Sequence, residues 1–406
     1  MFYAGEDVIY VRDFIGKSGE RFSLLYDADE GVFPLFYPTA WCATQLREKM
    51  HSSQRECMYA LKKFYEWLKL MGVDIHVRIL KLEFLYEHEV SSLVDYFGLS
   101  RGKRNPGGVV SGAKKNFYIG VVSSYLQWYA NSIVTDSYSD EYERRFKRFE
   151  SCMLLRKVKL RSRHQEDIAR LDKRLSDKAR NKLLEVFEGI DSVGFRCGVQ
   201  YRNWLMLHVL YETGMRVGEL LSLTLSDYEH ALGGNAPRLT IKRNHDDPYD
   251  RRVRQPVAKT LGRIISISDG LAKKIEVYLR DYRLGVPGAD FGEEAGLFIR
   301  HKAGAGQGKV MSVSAYYASL SNVRKKYPEI GELHPHLLRH DWNYRFSNYA
   351  QEKGFPEAKE NSIREYLMGW APGSGTAKIY NLRFIQEQSF LVGVDMANWV
   401  VDRRDL

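Results

Sequence analysis

This sequence predicts a mainly α-helical protein with a small β-sheet, divided into two principal domains. Three observations carry that reading. The chain has 406 residues, more than one domain of about 150 residues ordinarily holds. Apolar residues recur at helical spacing over 41–155 and again beyond residue 176, whereas the second region also contains two short strand-like runs. Between the two regions lies a stretch crowded with arginine and lysine and poor in large apolar residues.

Residues 1–40 alternate short apolar runs with turn signals. Val8–Val11 and Phe22–Tyr26 flank Gly16-Lys17-Ser18-Gly19, so a strand-rich arm built on a hairpin is expected, closed by Pro34 and Pro38. From 41 to 155 a helical domain follows. Tyr59, Leu61, Phe64, Trp67 and Leu68 mark one amphipathic helix ending near Met71-Gly72, and Leu80–Phe97, Val121–Tyr129 and Tyr138–Phe149 mark three more. Core packing accounts for their aromatics. The loop bearing Arg101, Lys103 and Arg104 among glycines reads equally as a solvated loop or as a contact to a phosphate backbone.

Residues 156–175 form a basic linker, with Arg156, Lys157, Lys159, Arg161, Arg163, Arg170, Lys173 and Arg174 close together. Such a block repels itself and stays extended unless an anion neutralises it, so it reads as a strap along a polyanion, the alternative being a simple solvated linker. Ser176-Asp177 then offers a helix N-cap. The apolar Trp204–Tyr211 helix breaks at Gly214, and the next helix starts around Arg216. An arginine at a helix start can reach an anion held there, and Glu219 can hold its guanidinium. Taken alone, Arg216 and Glu219 are an ordinary surface pair.

Two strands are expected at 238–243 and 262–267, separated by a long polar insertion, with Lys259 just ahead of the second. Helices follow at Leu271–Tyr282 and Val313–Tyr327. In Leu333–Phe346 three histidines and an arginine precede an aromatic run. His336, Arg339 and His340 fall at helical i, i+3 and i, i+4 spacing, so they share one side: a proton acceptor beside a permanent cation. A zinc site from His334, His336 and His340 is disfavoured, since no carboxylate or thiolate completes it nearby and Arg339 would repel a cation. The chain closes with Gly369-Trp370, Tyr380 and an apolar tail over 386–406, and contains no internal repeat.

Bulk properties narrow the partner. There are 61 Lys plus Arg against 51 Asp plus Glu, a net charge of +10, which favours nucleic acid first and a membrane surface second. The four cysteines, Cys42, Cys57, Cys152 and Cys197, are scattered and fit a reducing compartment. No apolar run approaches the ~20 residues that span a bilayer, and the first residues lack a signal pattern, so a cytoplasmic, DNA-associated protein with no membrane partner is expected.

Taken together, Arg216-x-x-Glu219, Lys259 before a strand, His336-x-x-Arg339-His340, Gly369-Trp370 and Tyr380 resemble, in order and spacing, the tyrosine recombinase (phage integrase) family over residues 176–385. The resemblance implies a helical core DNA-binding domain over 41–155 and a mixed α/β catalytic domain over 176–385. It implies a catalytic set of Arg216, Lys259, His336, Arg339, Trp370 and the nucleophile Tyr380, with Glu219 and His340 in support. Arg101, Lys103, Arg104, Arg161 and Arg163 are then expected on DNA. Trp370 stands where most members have histidine and some have tryptophan. An indole N–H donates one hydrogen bond and cannot shuttle protons, so Trp370 would position the phosphate or shape the pocket. Ser266 stands where many members have proline. The insertion leaves Lys242 as a competitor to Lys259.

The implied function is site-specific DNA strand breakage and rejoining through a 3′-phosphotyrosyl bond, as in integrases and transposases of mobile elements. No metal or other cofactor is needed, because two arginines and a lysine meet the transition-state charge. The implied partners are double-stranded recombination sites, further copies of the chain up to a tetramer on DNA, and accessory DNA-bending or directionality proteins. A type IB topoisomerase shares the chemistry, and a non-catalytic DNA-binding protein could share the fold.

Overall fold

The computed structural model describes residues 8–100, 108–134, 139–159, 175–189, 198–373, 375, 377, 384–385 and 387–396. Two compact units emerge. The first is Met1–Ser162 together with Asp246–Arg254, and the second is Arg163–His245 together with Gln255–Leu406.

The first unit opens with an antiparallel hairpin, β1 (Ile9–Ile15) and β2 (Arg21–Asp27), paired from Ile9 opposite Asp27 to Ile15 opposite Arg21. Among the described residues six helices follow: α1 (Phe36–Gln45), α2 (His51–Met71), α3 (Ile75–Leu80), α4 (Glu87–Gly98), α5 (Gly112–Ile133) and α6 (Asp140–Leu155). α2 turns Leu61, Phe64 and Trp67 into the core and ends at Gly72, whose φ of 64° suits the left-handed cap. The single helix expected over Leu80–Phe97 is two helices. Leu82 adopts φ 56°, and the chain between them folds Phe84 and Leu85 into the core before Glu89 bonds the Tyr86 amide to start α4. Burial of two large apolar side chains there outweighs helical continuity.

The second unit is built on α8 (Gly198–Thr213), preceded by α7 (Asp177–Gly189). α8 is buried nearly all round, with Trp204, Leu205, Leu207, Val209 and Leu210 in the core, as a central helix must be. A short α9 (Val217–Ser222) leads into the antiparallel sheet β3 (Tyr228–Glu229), β4 (Arg238–Ile241) and β5 (Arg263–Ser266) in that order. Leu239 faces Ile265, and both are buried. Then come α10 (Asp269–Val277), α11 (Val313–Lys326), α12 (Pro335–Glu352) and α13 (Glu357–Met368). The expected helix to Tyr282 widens into a π turn over Tyr278–Arg283, which carries Arg283 inward onto the carbonyls of Asp290 and Gly296. The fold is thus mainly helical with small sheets. Among the described residues no helix is long and apolar enough to cross a membrane.

Candidate active site

The site starts where α8 stops. Gly214 takes φ 64°, and a Cβ there would come within 2.8 Å of the Trp342 ring, so the helix end and α12 approach as only glycine allows. Arg216 follows as the residue before α9, and its side chain keeps 30% exposure. Glu219, in the first turn of α9, is fully buried.

Glu219 is a hub. Its Oε2 accepts from the Arg216 backbone N–H at 2.9 Å and from Arg263 Nη2 at 2.8 Å. Its Oε1 accepts from Thr260 Oγ1 at 2.8 Å and from Arg216 Nη1 at 3.4 Å. Burial works to raise the carboxyl pKa. The hydrogen bond and charge of Arg263, the Arg216 N–H and the charge of Arg339 outweigh it and bring the pKa down to about 2. The carboxylate is therefore ionised throughout the neutral range.

The segment ahead of β5 is drawn over the same hub. A Cβ on Gly218 would lie 2.8 Å from the Val257 carbonyl oxygen, so the absence of a side chain lets residues 257–260 pass close over the start of α9. Thr260 Oγ1 takes a hydrogen bond from Arg216 Nη1 at 3.3 Å, and Leu261 N–H donates to the Gly369 carbonyl at 3.0 Å. Lys259, one residue before Thr260, is exposed. Lys242 is engaged elsewhere, 2.9 Å from Asp227 Oδ1, and its hydrogen bond to that carboxylate raises its pKa.

The start of α12 supplies the other side. His334 is the N-cap, its Nδ1 accepting from the Leu337 N–H at 3.1 Å, with Pro335 in the first turn. Arg339 is 1% exposed and forks between two chain ends, donating from Nη1 to the Gly214 carbonyl at 2.9 Å and from Nη2 to the Met368 carbonyl at 3.0 Å. Its guanidinium carbon lies 5.4 Å from the centre of the Trp370 ring, itself buried. His336 is exposed one turn before and stands edge-on to His340 at 4.5 Å between ring centres. Farther along α12, buried Asp341 takes Arg180 at 2.7 Å and Arg345 at 2.9 Å, which anchors the helix to α7.

Of the residues singled out from sequence, the structure brings Arg216, Glu219, Arg339 and Trp370 into one connected set, with Lys259 beside Thr260 and with His336 and His340 on the helix that carries Arg339. Tyr380 lies outside the described residues, as do Arg101, Lys103, Arg104, Arg161 and Arg163. Two members of the set were not anticipated, Thr260 and Arg263. A signal for Arg263 was present. In β5 it alternates in phase with buried Ile265 while Ile264 and Ser266 face out, so a charge fell on the buried face of a strand. Among the described residues no three His, Cys, Asp or Glu side chains converge to hold a metal ion.

The chain is similar to several known proteins. Residues 196–383 match the phage integrase family. Over 211 residues the chain is 29% identical to the tyrosine recombinase XerD of Halalkalibacterium halodurans, covering 52% of this chain and 57% of the relative. It is 31% identical over 151 residues to the tyrosine recombinase XerC of Roseiflexus sp., covering 36% and 39% respectively. The chain thus spans about half or less of the length of these curated relatives. Among solved structures, the XerH site-specific recombinase bound to difH substrate aligns with a TM-score of 0.49 at 17% identity, covering 83% of this chain and 79% of that one. The Tn1549 transposon integrase in complex with circular intermediate DNA aligns with a TM-score of 0.37 at 15% identity, covering 80% and 94%. A helical protein with an arginine-rich site wrapped round one buried carboxylate is the class that the fold and site define. Over residues 196–383 the chain is similar in sequence to the tyrosine recombinase (phage integrase) family.

Proposed function

We propose that this protein is a site-specific DNA recombinase that cleaves and rejoins DNA through a 3′-phosphotyrosyl intermediate. The observation that carries the reading is the Glu219 hub. One ionised carboxylate ties the Arg216 backbone, the Thr260 side chain beside Lys259, and Arg263 into a fixed frame, while the Arg216 side chain stays partly open to solvent. A frame of this kind presents cations to an anion without the cost of ordering them during reaction.

In the proposed reaction Tyr380 Oη attacks a phosphodiester phosphorus. A bond forms between that oxygen and phosphorus, and the bond from phosphorus to the 5′-oxygen breaks. His336 takes the phenol proton, since a tyrosine of ordinary pKa near ~10 is a weak nucleophile at neutral pH. Lys259 delivers a proton to the leaving 5′-oxygen. Arg216 and Arg339 stabilise the charge on the non-bridging oxygens, and the planar fork of a guanidinium suits a phosphate. A guanidinium carries five N–H donors, and the carbonyls of Gly214 and Met368 fix the plane of Arg339 with two of them. Trp370, stacked near Arg339, shapes the pocket. The phosphotyrosyl bond is about as energetic as the phosphodiester it replaces, so a free 5′-hydroxyl reverses the step without ATP.

The proposed partners are double-stranded recombination sites and further copies of the chain. Residues 41–155 and the basic linker would hold DNA together with the catalytic region over 176–385, with Arg101, Lys103, Arg104, Arg161 and Arg163 on phosphates. The exposed apolar residues Phe390, Leu391 and Met396 of the tail support packing on a neighbouring subunit. The test is to trap covalent protein–DNA adducts in cells making the protein and to sequence the attached DNA. Adducts confined to one or a few sites are expected. Adducts spread evenly over supercoiled DNA would point to a topoisomerase, and none at all would leave only a DNA-binding role.

A further inference from the structure

The polar insertion between β4 and β5 groups with the first unit although both its ends run into the second. Its base is pinched by a hydrogen bond from Gln255 Nε2 to the Asn244 carbonyl at 2.9 Å. Its middle is gripped by the N-terminal hairpin. Arg21, at the start of β2 and 1% exposed, donates to the carbonyls of Asp247 at 3.3 Å, Asp250 at 2.5 Å and Arg252 at 3.2 Å, and to its own hairpin at Gly19 at 2.7 Å. Gly19 takes φ 89°, and a Cβ there would fall on the Asp246 carbonyl. Asp13 of β1 closes the contact from the other strand, accepting from Arg254 at 3.4 Å. A buried arginine spending its donors on three carbonyls of a distant loop is a built contact, since an unpaired buried guanidinium would be strongly disfavoured.

Only four residues separate Arg254 from Lys259. We propose that Arg21 is a positioning residue: the N-terminal hairpin holds the 246–254 loop and so fixes the segment ahead of β5 that delivers Lys259 to the leaving 5′-oxygen. This inference rests on the function proposed above. It gives the strand-rich arm a part in the chemistry, through the proton that Lys259 supplies rather than through DNA.

The test uses the full-length protein and duplexes carrying the DNA recovered from covalent adducts, with either oxygen or sulfur as the bridging 5′ atom. A thiolate leaves without a proton, so it bypasses Lys259. Arg21→Lys keeps the charge but loses the planar fork, and Gly19→Val pushes the loop away without touching Arg21. Both variants are expected to cleave the oxygen duplex ~10-fold or more slowly than the unmodified protein, as displacement of a catalytic group by about an ångström does. On the sulfur duplex both should come within about twofold of it, as should Lys259→Ala. A defect of equal size on both duplexes means a general structural role and overturns the inference, as does normal cleavage of both. If the unmodified protein forms no adduct on either duplex, the recombinase reading itself falls, and this inference falls with it.

Discussion

Glu219 and Arg263 form a buried ion pair at 2.8 Å, with the carboxylate fully buried and the guanidinium 1% exposed. The pair locks the first turn of α9 to the first residue of β5, and Arg263 carries the lock on to the Leu367 carbonyl at 2.7 Å, at the end of α13. Three elements that supply the proposed site are therefore joined through one carboxylate.

Glu219→Gln removes the charge and leaves Arg263 buried without its counter-ion. A loss of ~3 kcal/mol or more in unfolding free energy is expected at neutral pH. The pKa of Glu219 is about 2 in the folded chain against an ordinary value of 4.5. A depressed folded pKa contributes stability that is present above about 4.5 and is lost as pH falls toward about 2. The stability gap between the unmodified protein and the variant should therefore narrow by on the order of 3 kcal/mol across that window in urea titrations. A gap that does not change with pH would show that the carboxylate is not the ionised hub.

The two arginines on this hub should separate. Arg216→Lys leaves the core alone, because the Arg216 side chain is 30% exposed and its side-chain bonds are 3.3 and 3.4 Å. Its stability should change by under ~1 kcal/mol while adduct formation slows by ~10³-fold, on the scale of a lost arginine finger. Arg263→Lys should instead lower stability by ~2 kcal/mol or more, because a buried fork is lost. Equal stability losses in the two variants would contradict the division of roles.

Gly218→Ala is a test of the Lys259 segment from the α9 side. Alanine improves helix propensity by about 1 kcal/mol, but its Cβ would meet the Val257 carbonyl at 2.8 Å. Unfolding should shift by under ~1 kcal/mol while cleavage slows ~10-fold or more. Unchanged cleavage would mean that the position of this segment does not matter.

Much of this was legible in the sequence. Helices such as α2 and α8 announce themselves by spacing, and Gly72 and Gly214 mark their ends. The motif residues Arg216, Glu219, His336 and Arg339 stand close to helix starts, where local pattern fixes their place. What was not legible depended on distant partners. Nothing near Arg21 announces its burial, because the loop that buries it lies more than 220 positions away. Leu82 breaks a continuous apolar pattern because the core takes Phe84 and Leu85, which no local preference reveals. The resemblance put Trp370 in the same site as Arg339, but the 5.4 Å approach of its ring to that guanidinium depends on where the end of α13 meets α12.

DNA affinity should fall steeply with salt, because each phosphate contact by lysine or arginine releases counterions. Neutralising Arg161 and Arg163 together should reduce the slope of log K against log salt by about 2 if both touch phosphates. An unchanged slope would remove the linker from the DNA interface.

The central claim is covalent catalysis by Tyr380, and it is tested most directly by incubating the protein with a nicked suicide duplex and scoring adduct on a denaturing gel. The unmodified protein should form a phosphotyrosyl adduct in excess chelator, and Tyr380→Phe should form none while still binding the duplex. Adduct formed by Tyr380→Phe, or none formed by the unmodified protein on DNA it binds specifically, would contradict the account.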